Sequence, residues 1–118
     1  MKSTKDLVKR MKAGEFLISI QIDPPVPGKF AEFQEMIEGL KEAGTTLIDI
    51  NSSRKISHDS IHLAAALARM GFETIPHVTT RVSSVNGLVN HILAAYEWEH
   101  LRNFLIITGD PYEANQSI

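Results

Sequence analysis

The sequence predicts one α/β domain built on a parallel sheet, and three observations carry that expectation. Strand-type and helix-type segments alternate regularly, the strand-type segments are short and apolar, and three of the helix-type segments run into a closing glycine. Repeated strand–helix units of this kind connect parallel neighbours, with the helices covering the sheet. No linker, low-complexity segment or charge block interrupts the 118 residues.

Each element has its own signal. Ser3 followed by Asp6 resembles a capping box, so a short helix is expected over 4–13, closed by Gly14. "EFLISIQID" (15–23) alternates as a strand does, with Phe16, Ile18, Ile20 and Ile22 on one face and Ser19, Gln21 and Asp23 on the other. The break "PPVPG" follows. "KFAEFQEMIEGLKEAG" (29–44) then places Phe30, Phe33, Ile37 and Leu40 at helical spacing and stops on Gly44. "TTLIDI" (45–50) is a short strand, and "HDSIHLAAALARMG" (58–71) is a helix apolar over most of its surface. "FETIPHV" (72–78) is a strand broken by Pro76. "SSVNGLVNHILAAYEWEH" (83–100) is an amphipathic helix with Val85, Leu88, Val89, Ile92 and Tyr96 on one side and either Ser83 or Ser84 as N-cap. "NFLIIT" (103–108) is the most apolar strand and runs into "GDP".

Composition narrows the function classes. A formal charge of −2 gives no basic footprint for nucleic acid. No apolar run approaches the roughly 20 residues that span a bilayer. The basic start "MKSTKDLVKRMKAGEF" lacks the apolar stretch of a signal peptide, and the absence of cysteine removes disulfide and thiol chemistry. A cytoplasmic location and no membrane partner are expected. Walker A, G-x-G-x-x-G and G-x-S-x-G patterns are all missing.

Ligands of parallel α/β folds bind at the carboxyl ends of the strands. The residues just past each strand are Gln21 and Asp23, Asn51 to Arg54, His77 to Arg81, and Thr108 to Pro111. Polar groups cluster at all four places, which suggests a site on that rim. Each cluster also has a plainer reading. Asp23 before two prolines stops a strand, and Gly-Asp is common turn chemistry. A histidine at a strand end is most often structural. Gln21 is harder to dismiss, since a buried amide needs partners from a polar pocket or a ligand. His58 and His62 stand four apart but have no third ligand at convincing spacing, so no metal site is expected.

"ISIQIDPP" (18–25), "IPHVTTR" (75–81) and "NGLVNHILAAYEWEHLRNFLIITGDP" (86–111) together resemble the first half of a methylenetetrahydrofolate reductase. The resemblance is greatest to the bacterial branch often fused to a homocysteine methyltransferase domain. It covers nearly the whole chain; each motif is weak alone, but their order and spacing are fairly specific. It implies a (β/α)8 barrel holding FAD at the carboxyl ends of its strands. NADH or NADPH reduces the flavin, which reduces 5,10-methylenetetrahydrofolate to 5-methyltetrahydrofolate, a step towards methionine. By position, His77 matches a histidine on the flavin ring, and Asp110 an aspartate near flavin and pterin. Thr108 and Gly109 belong to the same flavin-contacting turn, and Asn51 falls where a polar residue meets the cofactor. Gln21 and Asp23 face the folate.

Two departures from the family pattern shape the expectation. The family's general acid is a glutamate where this chain has Gln21, and a carboxamide has no proton to give the departing nitrogen. Asp23, about 6.5 Å further along the same strand face, is the nearest substitute. A complete barrel also needs about 250 residues, so residues 1–118 correspond to about four βα units. The chain is therefore expected to be a truncated barrel, the simplest case, a half-barrel that pairs with a copy of itself or another chain, or a rearranged small α/β domain. The competing expectation is a catalytically degenerate half-barrel serving as a binding or assembly module. An intact flavodoxin-like domain fits less well, because "DPPVPGK" puts prolines where phosphate-binding N–H groups are needed.

Overall fold

A computed structural model describes residues 6–53, 55–81 and 84–108. Its elements alternate as α1 (Leu7–Lys12), β1 (Ile20–Ile22), α2 (Phe30–Glu42), β2 (Leu47–Ile50), α3 (Ser60–Arg69), β3 (Glu73–Thr79), α4 (Val85–Trp98) and β4 (Leu105–Ile107). The strands form one four-stranded sheet in the order β1-β2-β3-β4, and every pairing is parallel. The expected α/β class with a parallel sheet is what the chain adopts.

The core lies on one face of that sheet. Strand alternation sends Ile22, Ile48, Ile50 and Val78 to the same side, where they meet Phe33 and Ile37 of α2 and Ile61, Ala64, Leu67 and Ala68 of α3. Helix α3 is apolar almost all round because it is enclosed, packing on β2 and β3 beneath it and α4 beside it. Helices α2 and α3 stop at Gly44 and Gly71, whose φ angles of +89° and +104° suit glycine. In each case the next residue's N–H reaches back five positions in a Schellman closure, Thr45 to Leu40 and Phe72 to Leu67.

Several boundaries differ from expectation for physical reasons. The strand expected over 15–23 pairs only at Ile20–Ile22, because its neighbour β2 begins at Leu47 and offers nothing to earlier residues. Phe16 and Ile18 are consequently 86% and 68% exposed rather than part of the core. Pro76 does not break β3. The N–H of Glu73 points to Thr46 before β2, and that of Thr80 to Ile107 of β4. By alternation the nitrogen of Pro76 faces the β4 side, where pairing starts only at His77 with Leu105. The missing N–H therefore costs no ladder bond.

At the first helix the cap is Asp6 itself, whose Oδ1 accepts from the N–H groups of Val8 and Lys9 at 3.0 and 3.3 Å. Ser3, the other half of the expected capping box, lies outside the described residues. Helix α4 is capped by Ser84, whose Oγ accepts from Gly87 at 3.1 Å. It packs through the narrow line of Leu88, Ile92 and Ala95, and leaves Val85, Val89 and Tyr96 of the expected apolar face exposed. It ends earlier than expected, with His100 turning the chain at φ 58°. No helix among the described residues is long and apolar enough to cross a membrane.

Candidate functional site

The sheet face opposite the core carries the polar residues. In β2, Ile48 and Ile50 are fully buried in the core, which turns Asp49 and then Asn51 to the other side. Cα register aligns Gln21 with Asp49 and Asp49 with Ile75, so the alternate residues Ser19, Gln21, Asp23, Asp49, Asn51, His77 and Thr79 share this face.

Hydrogen bonds link them across the strands. His77 Nε2 lies 3.0 Å from Asp49 Oδ2, while Asp49 Oδ1 accepts from the Ser19 hydroxyl at 2.5 Å. Towards the carboxyl end, Asn51 Nδ2 donates to Asp23 Oδ1 at 2.9 Å, and the hydroxyls of Ser52 and Thr79 are 3.1 Å apart. His77 is further fixed through its backbone, whose carbonyl accepts from the Ser60 hydroxyl at 2.6 Å. Its side chain is only 10% exposed. Nδ1 of that ring has no hydrogen-bond partner among the described residues.

Four of the expected site residues therefore come together on three adjacent strands: Gln21, Asp23, Asn51 and His77. Gln21 is exposed on the open face rather than buried, and its amide bonds to no described residue. Thr108 follows β4 directly, but alternation gives it the parity of Ile106, not that of Leu105 and Ile107 beside His77. Gly109 and Asp110 lie outside the described residues.

Of the participants, the sequence left Asp49 unmarked, placed Ser19 only on the face of Gln21 and Asp23, and included Ser52 and Thr79 only within the polar clusters past the strand ends. Asp49 was nevertheless legible, because the alternation that singles out Gln21 in "ISIQID" also singles out Asp49 in "LIDIN". It stood inside a strand instead of past its end. Ser52 and Thr79 gave no pattern beyond their place near strand ends.

No protein family, curated protein or solved structure matches this chain. Its chemistry must be read from the side chains themselves.

A cavity of about 460 Å³ lies at the opposite, amino-terminal end of the strands, lined in part by Arg10, Glu15, Phe16, Thr46 and Glu73. Arg10 bridges Glu15 at 2.7 Å and Glu73 at 2.6 Å, and these two carboxylates, Glu15 first, raise its already high pKa further. The charges lining that cavity are satisfied by each other, and none of the rim residues reaches it. Among the described residues no group of three His, Asp or Glu side chains is placed to hold a metal. His58 stacks on Phe30 instead, with ring centroids 5.6 Å apart.

Proposed function

We propose that this chain supplies the first four βα units of a flavin-dependent reductase acting on 5,10-methylenetetrahydrofolate, with its sheet forming half of a (β/α)8 barrel. The observation that carries the reading is His77: a ring nine-tenths buried at the carboxyl end of a parallel strand, with one nitrogen unpartnered among the described residues. A buried polar atom without a partner favours a ligand that supplies one.

The side chains of the open face suit FAD. Amides, hydroxyls and carboxylates stand side by side there, and the pyrimidine edge of a flavin alternates carbonyl acceptors with a ring N–H. His77 and Asn51 hold that edge, with Thr108, Gly109 and Asp110 completing the turn on the family pattern. When bound, the flavin carries hydride from NADH or NADPH to the methylene carbon. Gln21 and Asp23 face the folate. The nitrogen that leaves the methylene bridge needs a proton; Gln21 has none to give, so Asp23, oriented by Asn51, is the carboxyl nearest that task. Four further βα units, from a longer chain or from a second copy, close the barrel, and the assembly works in the cytoplasm.

Gln21 favours a second reading, in which the half-barrel binds the same ligands without turning them over. Titrating the purified chain with FAD, followed by flavin absorbance and fluorescence, and with a folate, followed by calorimetry, tests the first reading. Absence of both affinities overturns it. Binding of both with no NAD(P)H-dependent folate reduction selects the second.

A further inference from the structure

The contact between Asp49 and His77 has a chemical direction. A carboxylate only accepts hydrogen bonds, so the 3.0 Å contact requires the ring proton on Nε2 of His77. The Ser19 hydroxyl donates to the other carboxylate oxygen at 2.5 Å, which locks the carboxylate plane. Ser60 holds the His77 backbone from a separate element. A neutral ring fixed in this way carries its lone pair on Nδ1, the nitrogen without a partner among the described residues.

We infer that Asp49 is a positioning residue that sets the ring tautomer of His77, so that Nδ1 is offered to the ligand as a hydrogen-bond acceptor. The ligand must then present an N–H at that point, as a flavin pyrimidine ring does. This rests on the flavin reading for the ligand's identity, but the tautomer is a property of the protein alone. The partner is a carboxylate for a reason. An amide in its place keeps an oxygen for Ser19 and turns an N–H towards Nε2, which drives the ring proton to Nδ1. A donor then faces the donor of the ligand.

The test is long-range ¹H–¹⁵N spectroscopy of the imidazoles in the full chain, above about pH 8 where an imidazole is neutral. The His77 signals are assigned by their loss in His77→Gln. The expected result is a proton on Nε2 in the unsubstituted chain and in Ser19→Ala, and on Nδ1 in Asp49→Asn. The amide spectrum of the other residues verifies that each variant is folded. A proton on Nδ1 in the unsubstituted chain, or an unchanged tautomer in Asp49→Asn, overturns the inference. A parallel FAD titration is expected to show about tenfold weaker binding for Asp49→Asn, the cost of replacing one hydrogen bond by opposed donors. If neither protein binds FAD while the tautomers are as expected, the flavin reading falls and the role of Asp49 stands.

Discussion

Gln21 and Asp49 are register partners on neighbouring parallel strands and project from the same open face of the sheet. The amide at position 21 is thus seated beside a carboxylate already engaged by Ser19 and His77. Placing an acid there sets two carboxylates on adjacent strands. Gln21→Glu is expected to cost about 0.5–1 kcal/mol at neutral pH through like-charge repulsion. The repulsion exists only while both carboxyls are ionised, so the penalty is present at neutral pH and is lost in acid as they take up protons. Urea unfolding at about pH 7 and about pH 4 measures it, with the two proteins converging in acid. On the proposed reductase reading the same variant is expected to gain folate reduction; no gain argues that position 21 is not the acid position.

Asp49→Ala removes the acceptor shared by Ser19 and His77 and leaves a ring that is 10% exposed without its partner. A loss of about 1–3 kcal/mol is expected from the unsatisfied donor. Ser19→Ala, at an exposed position, is expected to cost less than half of that. Chemical denaturation of the two variants, compared with the parent, checks the ratio.

Beyond β4 no described strand continues the sheet, Leu105 and Ile106 of that strand are exposed, and so are Val89, Leu93 and Tyr96 of α4. An open strand edge with an apolar flank invites association. The purified chain is expected to form particles of two or more copies in light scattering. The double substitution Leu93→Lys with Ile106→Lys is expected to return a single chain while keeping its circular dichroism. A monomeric parent contradicts this.

Arg10 ties α1 to β3 through Glu73 and to the following turn through Glu15. Arg10→Ala leaves Glu73, whose side chain is 13% exposed, without its cation. Faster hydrogen exchange is expected in α1 than in α3, together with a lower Tm, and mass spectrometry of exchanged peptides reads the difference. Arg10→Lys is expected to recover only part of the protection, since one ammonium cannot span two carboxylates as a guanidinium does.

The alternation of elements was legible because it rests on local periodicity, and all eight segments appear where their patterns lie. What sequence could not supply was partnership. Phe16 and Ile18 alternate with Ile20 as well as any strand does, yet the strand begins only where β2 stands beside it. Val85 and Val89 fit the apolar stripe of α4, but burial follows the neighbour actually present, and α3 covers only Leu88, Ile92 and Ala95. Pro76 read as a break because the direction of its missing N–H depends on which neighbour starts where. The rim residues Gln21, Asp23, Asn51 and His77 were legible from strand ends. Asp49 was hidden by standing within a strand, although it holds the histidine in place.

The buried Leu7 donates its backbone N–H to Asn103 Oδ1 at 3.0 Å, across 96 positions of sequence. Helix α1 thus finds this anchor only when nearly the whole of the described chain after it has been made. Its other tether, Glu73, arrives earlier, so α1 docks in two stages, first by charge to β3 and then by the amide ahead of β4. Contacts closed over so long a span form late and open first. Helix α1 acts as a latch on the finished sheet, and its release is the natural first step of unfolding.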